Sequence, residues 1–214
     1  MDRRVVTVEA DVRDFAAVQA GVAAGLAEFG HIDIVAANAG VTSYHRSWEL
    51  PEDAWDAVVD TNLKGVWLTC KAVIPSMIEA GRGGSIVITS SAAGLRGQLH
   101  LAHYSAAKHG LSGLARTMAG ELAGYNIRVN TVCPTSVDTP MVHNQATYDL
   151  FIPDPAQRNR EGIKPAMAAL NMLPTAWIDP RDVSNAVLYL ASDEARFVTA
   201  IDLPVDAGCT QRML

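Results

Sequence analysis

Cysteine is scarce in this chain. Its three copies, Cys70, Cys133 and Cys209, lie far apart and form no CxxC pair. That excludes a disulfide-rich scaffold and fits a reducing compartment. No apolar run is long enough to cross a bilayer, and the stretch after Met1 is too short for a signal peptide. A cytoplasmic location, with no membrane partner, is the expectation. Basic charge is also short: 17 Lys and Arg stand against 23 Asp and Glu, a net charge of −6, and no basic cluster occurs. A nucleic-acid groove needs a basic face, so nucleic acid is set aside as a partner. Repeats and low-complexity tracts are missing too. What is present is ample core material. With 49% hydrophobic and 19% charged residues over 214 positions, one globular domain is expected across residues 1–214.

The pattern along the chain alternates. Val5 to Ala10 is short and β-branched, which predicts a strand. Phe15 to Phe29 has apolar residues at helical spacing. Ile32 to Ala37 is a continuous apolar run, as in a strand buried on both faces. Pro51 opens a long helix to about Ala80, with a break or kink predicted at Pro75. Ser85 to Ser90 predicts a buried strand, His103 to Ala123 a helix, and Ile127 to Val132 a strand stopped by Pro134. Met141 to Pro174 reads as irregular. Asp179 caps a helix that starts at Pro180 and runs to about Ala191. Ile201 to Val205 predicts the last strand. Alternating strands and helices imply an α/β fold, a Rossmann-like doubly wound parallel sheet.

The chemistry concentrates at Tyr104-Ser105-Ala106-Ala107-Lys108. Residues four apart on a helix share one face. A free tyrosine, with a pKa near 10, is a poor base at neutral pH. An ammonium beside it favours the phenolate, which predicts a lowered Tyr104 value and a group able to exchange a proton with an alcohol or ketone. By chance such a pair turns up in roughly one chain in ten of this composition, so context must carry it. Ser91 supplies context. It follows the strand Ser85–Ser90, 13 positions before Tyr104, and strand carboxyl ends face the ligand crevice of a parallel sheet. A serine there can hydrogen-bond a substrate oxygen as charge shifts onto it.

Asn38-Ala39-Gly40, Asn62, Ser91, Tyr104-x-x-x-Lys108 and Pro134 to Thr139 together resemble the short-chain dehydrogenases/reductases, in the same order and spacing, from Val5 to Gly208. The resemblance implies hydride transfer between a nicotinamide cofactor, NAD with NADP left open, and a small-molecule alcohol or ketone. Tyr104 would be the acid/base. Lys108 would bind the nicotinamide ribose and tune Tyr104, Ser91 would orient the substrate oxygen, and Asn62 would complete a proton relay. Asp11 and Val12 would meet the adenine. Asn38, Ala39, Gly40, Pro134, Thr135, Val137, Thr139 and Met141 would line the cofactor site, with residues 141–175 as a substrate lid. Thr135 stands where the family has glycine. The segments Thr139-Pro140-Met141-Val142-His143-Asn144 and Leu203-Pro204-Val205-Asp206-Ala207-Gly208 look like the mycofactocin-coupled subgroup, which includes carveol dehydrogenase-like enzymes acting on alcohols that are often terpenoid. Ala200 replaces a glycine usual there. The family also pairs its long helices between subunits, so a homodimer or homotetramer is implied.

One departure is large. The family opens with a strand, a Gly-rich turn and a helix whose amino end takes the pyrophosphate. This sequence contains no such segment; Gly81-Arg82-Gly83-Gly84 leads into a strand instead. The first two strand–helix units are expected to be absent, as in an N-terminally truncated member. That would leave Ile32–Ala37 with an open edge and Val5–Ala10 without its sheet neighbour. Poor solubility and weak dinucleotide binding follow as expectations. A catalytically inactive remnant acting as an oligomer partner is the competing reading, and an epimerase or dehydratase of the extended relatives is a third. No metal is expected; His100, His103 and His109 are read as rimming the substrate pocket. Trp48, Trp55, Trp67 and Trp177 are read as core or interface residues.

Overall fold

The computed structural model of the chain describes residues 4–212. Among them, four parallel strands run side by side in the order β1 (Ile34–Ala37), β2 (Gly84–Thr89), β3 (Ile127–Pro134) and β4 (Asp202–Val205). Parallel neighbours need crossover connections, and helices fill them. α1 (Phe15–Phe29) precedes β1; α2 (Glu52–Val59) and α3 (Gly65–Ala80) link β1 to β2; α4 (Ala102–Leu122) links β2 to β3. α5 (Gln145–Phe151), α6 (Arg160–Ala168) and α7 (Pro180–Ala191) lie between β3 and β4.

Alternation along the central strands decides which helix covers which face. Ile86, Ile88, Ile127 and Val129 pack against Val73 and Met77 of α3 and Leu111 and Leu122 of α4. Val87 and Val132 point the other way and meet Leu190 of α7. Fully burying each of these side chains contributes about 1.5–3 kcal/mol. Ser85, buried on the α7 side, donates its hydroxyl to Leu190 O at 2.9 Å. The sheet is therefore doubly wound, as the sequence pattern implies.

Helix ends follow local chemistry. Asp14 caps α1 by accepting from Ala16 N and Ala17 N, and Gly30 ends it at φ 80°. Asp179 and Asp182 form a reciprocal capping box at the start of α7, with Pro180 in its first turn.

Several expectations need correction. Residues 4–10 form no strand; Val8 lies along α1 near Gly21, and Arg4 pairs with Glu28 at 3.1 Å. β-branched composition does not make a strand without a partner ladder. β1 is not buried on both faces: it is an edge strand with Val35 and Ala37 inward and Ile34 52% exposed. Pro75 lies inside α3 without ending it. The helix from Glu52 to Ala80 is instead interrupted by a π-helical turn at Asp60–Lys64. Residues 141–174 are not irregular, because α5 and α6 close a small core around Ile152, Ile163 and Met167. Trp48, Trp55 and Trp67 are exposed rather than core.

Candidate active site

The carboxyl ends of β1, β2 and β3 open into one cavity of about 890 Å³, the place where parallel sheets hold ligands. Asn38, Ala39 and Gly40 enter it after β1, Ser91 after β2, and Pro134, Thr135, Val137, Thr139 and Met141 from the end of β3 and the segment that follows. Tyr104 and Lys108 reach it from the first turns of α4, one helical turn apart.

The wall between β2 and α4 is tightly seated. Ser91 Oγ accepts from Ala93 N at 3.1 Å and starts the short 3₁₀ turn Ala92–Gly94. A Cβ on Gly94 would stand 2.5 Å from Ser90 Oγ and 2.8 Å from Lys108 O. Only glycine lets the turn seat so closely on α4. Ser90 Oγ also donates to Lys108 O at 3.1 Å.

Lys108 is buried, and its Nζ donates to Thr89 O at 2.7 Å. Burial pushes its ammonium down to about 8, since a desolvated charge is unfavourable. Its Nζ sits 5.6 Å from the centre of the Tyr104 ring. The expectation that Lys108 lowers the Tyr104 value is not met. Burial pushes the phenol up, the Ser91 hydroxyl opposes that, and Tyr44 adds to it. At this separation the cation does not outweigh desolvation of the phenolate.

Asn62 lies behind the cavity wall rather than on it. It is fully buried in the π-helical turn, where its Oδ1 accepts from Val41 N at 2.8 Å and its Nδ2 donates to Val41 O at 2.8 Å. A Cβ on Gly40 would approach Asn62 Oδ1 to 3.2 Å. Asn62 thus pins the loop after β1.

Asp11 and Val12 do not border the cavity. Arg13 holds the Asp11 carboxyl, with one contact at 2.6 Å, and brings it down to about 2. Val12 packs on Gly65, where a Cβ would come within 2.7 Å of its Cγ2. Thr135 needs no left-handed backbone despite replacing glycine; its Oγ1 donates to Asn171 Oδ1 at 2.9 Å.

The histidines do not rim the pocket. His103 is fully buried and shares a 2.8 Å hydrogen bond with Ser43 Oγ, and burial together with His45 keeps it below the ordinary imidazole value. His109 Nδ1 is bonded to Ser105 O at 2.8 Å. Successive helix residues point about 100° apart, so the register that aims Tyr104 at the cavity turns His103 away. Trp177 packs edge-on against His143 at 4.7 Å in the α5–α6 core. The sequence reading missed Tyr44, Thr89 and Thr147, all on the cavity wall. A lone tyrosine shortly after the carboxyl end of a strand was the available signal for Tyr44.

Residues 1–210 match a family profile described as "Enoyl-(Acyl carrier protein) reductase". The chain belongs to the short-chain dehydrogenase/reductase family of oxidoreductases. It is 46% identical over 211 residues to (-)-trans-carveol dehydrogenase of Rhodococcus erythropolis, covering 98% of this chain and 76% of that protein. The crystal structure of carveol dehydrogenase from Mycobacterium avium in complex with NAD superposes with a TM-score of 0.96 at 46% identity, over 98% of this chain and 76% of that one. A short chain dehydrogenase from Mycobacterium paratuberculosis, bound to NAD, gives 0.85 at 39% identity, with 98% and 76% covered. This chain therefore spans about three quarters of each relative's length.

Proposed function

We propose that the site transfers hydride between NAD and an uncharged alcohol or ketone, in the manner of the carveol dehydrogenase-like, mycofactocin-coupled enzymes. The observation that carries this is the convergence of Ser91, Tyr104 and Lys108 on one cavity at the carboxyl end of the sheet. Among the described residues, Lys108 is the only charged side chain that borders that cavity. A carboxylate or phosphate on the substrate would find no second cation there, which argues for a neutral substrate.

The residues present fit the nicotinamide end of the cofactor. Lys108 Nζ uses one donor on Thr89 O, and an ammonium has three, so two can meet ribose hydroxyls. Gly40 presents bare backbone to the same space. Bound NAD would accept the hydride from the carbinol carbon. Tyr104 takes the alcohol proton when its phenol is ionised and returns one to the ketone when it is neutral. Ser91 hydrogen-bonds the same oxygen, and Asn62 fixes the loop behind Gly40. Because burial raises Tyr104, the neutral acid form dominates near pH 7, and oxidation of alcohols speeds up with rising pH while ketone reduction slows.

Within residues 4–212 no Gly-rich turn leads from a strand into a helix, so the contacts these residues offer NAD are those of its nicotinamide end. Residues 141–175 serve as the lid. A homodimer or homotetramer through α2–α3 and α4 belongs to the same proposal; Trp55 and Trp67, exposed on α2 and α3, support it. The test is NADH absorbance with secondary alcohols at high NAD, comparing wild type with Tyr104→Phe. Turnover that survives loss of the Tyr104 hydroxyl would overturn the mechanism. No turnover and no cofactor binding by the wild-type chain would favour the inactive, oligomer-forming remnant.

A further inference from the structure

Tyr44 lies in the loop after β1 and borders the same cavity as Tyr104 and Ser91. The loop around it is held on both sides. Val41 is clamped by Asn62, Ser43 Oγ is bonded to His103 Nε2 at 2.8 Å, and His45 N donates to His100 O at 2.9 Å. Tyr44 is therefore placed by the start of α4, the element that also places Tyr104.

Its hydroxyl reaches across the cleft. Tyr44 Oη and Thr147 Oγ1 share a 3.1 Å hydrogen bond between residues 103 positions apart. Proton accounting gives the bond a direction. Thr147 Oγ1 donates to Asn144 Oδ1 at 3.1 Å, and Asn144 Oδ1 also accepts from Thr147 N at 2.9 Å as the cap of α5. The threonine has one hydroxyl proton, so the Tyr44 hydroxyl is the donor. Thr147 is buried, although the α5–α6 pair packs largely on its own small core. With its proton engaged, Tyr44 turns an aromatic ring rather than a free donor toward the substrate space. Leu101, Val142 and Phe151 add apolar surface to the same cavity.

We propose that Tyr44 is a specificity-determining residue. Its ring walls the cleft beside the reacting oxygen, and its hydroxyl straps α5 over the substrate, so ring-sized alcohols are favoured over short ones. This role rests on the redox reading given under Proposed function. Short alcohols carry little apolar surface to bury against the Tyr44 ring. Bulky ones bury apolar surface against it.

The experiment compares wild type, Tyr44→Phe and Tyr44→Ala with two probes, a substituted cyclohexanol and propan-2-ol. Amide deuterium exchange across residues 145–152 is followed without substrate. Tyr44→Ala should raise KM for the cyclohexanol about tenfold, the loss of one buried aromatic contact, while KM for propan-2-ol stays within about twofold and kcat holds for both. Tyr44→Phe keeps the ring and removes the strap. It should speed exchange in α5 by about 2–10-fold, the worth of one neutral hydrogen bond, and raise KM for the cyclohexanol by a smaller factor than Tyr44→Ala. Equal effects on both alcohols, or no effect on either, would overturn the specificity role. Unchanged exchange in Tyr44→Phe would overturn the strap. Turnover that depends on Tyr104 but ignores Tyr44 removes this inference alone. A wild-type chain inert toward both alcohols removes the redox reading and the specificity role together, while the exchange result still decides the strap.

Discussion

The β2–α4 wall and the α5–α6 pair, the proposed lid, face the same cavity but are held in different ways. Ser91, Tyr104 and Lys108 stand on elements whose backs are fully buried: Ile86, Ile88 and Leu111 have no exposed surface. Gly94 lets the wall close to van der Waals distance. The lid instead rests on a small core of its own and reaches the body through polar ties. Tyr44 to Thr147, Arg160 to Asp138 at 2.6 Å, and Thr135 to Asn171 are such ties. Dense packing fixes side chains that must meet a reacting atom to within fractions of an ångström. Single hydrogen bonds, worth about 1 kcal/mol each, can open and re-form as substrate enters. Under the proposed function, the difference separates chemistry from selection within one cleft.

The comparison is most exposed to failure at Tyr104. Tyr104→Phe should lower kcat roughly 10³-fold and leave exchange in α5 and α6 unchanged, as measured by NADH formation and deuterium uptake. A lid variant that cut kcat equally would erase the distinction.

Lys108 comes next, through stability rather than rate. Burial lowers its value from 10.5 to about 8. Between those values the unfolded chain holds the proton that the folded chain has released. Stability from this group therefore rises with pH across that window, and the penalty for the buried charge is fully present below it. The change is worth roughly 3 kcal/mol. Urea unfolding of wild type and Lys108→Met at pH 7 and pH 10 should show the wild type improving relative to the variant by about that amount. A gap independent of pH would show that the wall does not desolvate this ammonium.

On the lid side, Asn171 is buried, accepts from Thr135 Oγ1 and donates to Thr175 O at 2.8 Å. Asn171→Ala should destabilise the lid by about 2 kcal/mol by leaving both partners unpaired. Limited proteolysis should then cut residues 153–164 sooner, with the β2–α4 wall intact. Simultaneous cleavage in α4 would mean that the two regions unfold as one.

The smallest effect belongs to the framework ahead of β4. Ala200 has φ 63°, a left-handed conformation that penalises a Cβ. Ala200→Gly should raise the melting temperature slightly, corresponding to about 0.5–1 kcal/mol. A lower melting temperature would show that the Ala200 methyl, packed on the main core, matters more than the strain.

These contrasts follow what was readable beforehand. α1 was legible from the helical spacing of Phe15 to Phe29, and α7 because Asp179 with Pro180 marks its start by short-range chemistry. The β2 and β3 strands were legible because short apolar runs such as Ile86-Val87-Ile88, bounded by turn residues, suit a doubly covered sheet. Thr135 and Ala200 were recognised as departures, yet only backbone angles separated them: Thr135 is relaxed and Ala200 is not. Val5 to Ala10 misled because strand propensity is realised only beside a partner. α5 and α6 were missed because polar surface residues hide a core as small as Ile152, Ile163 and Met167.

The sequence by itself determined the class of protein, the order of the elements outside residues 4–10 and 141–174, and the Tyr104–Lys108 pair, since helical spacing alone puts those two on one face. Tertiary structure decided the rest of the site. It turned Asn62 away from the cavity and onto Val41, raised rather than lowered the Tyr104 phenol, and brought Tyr44 to Thr147. The reason is physical. Periodicity and capping act over a few residues, whereas desolvation and hydrogen-bond partnership depend on what distant segments leave beside a side chain once the chain has closed around it.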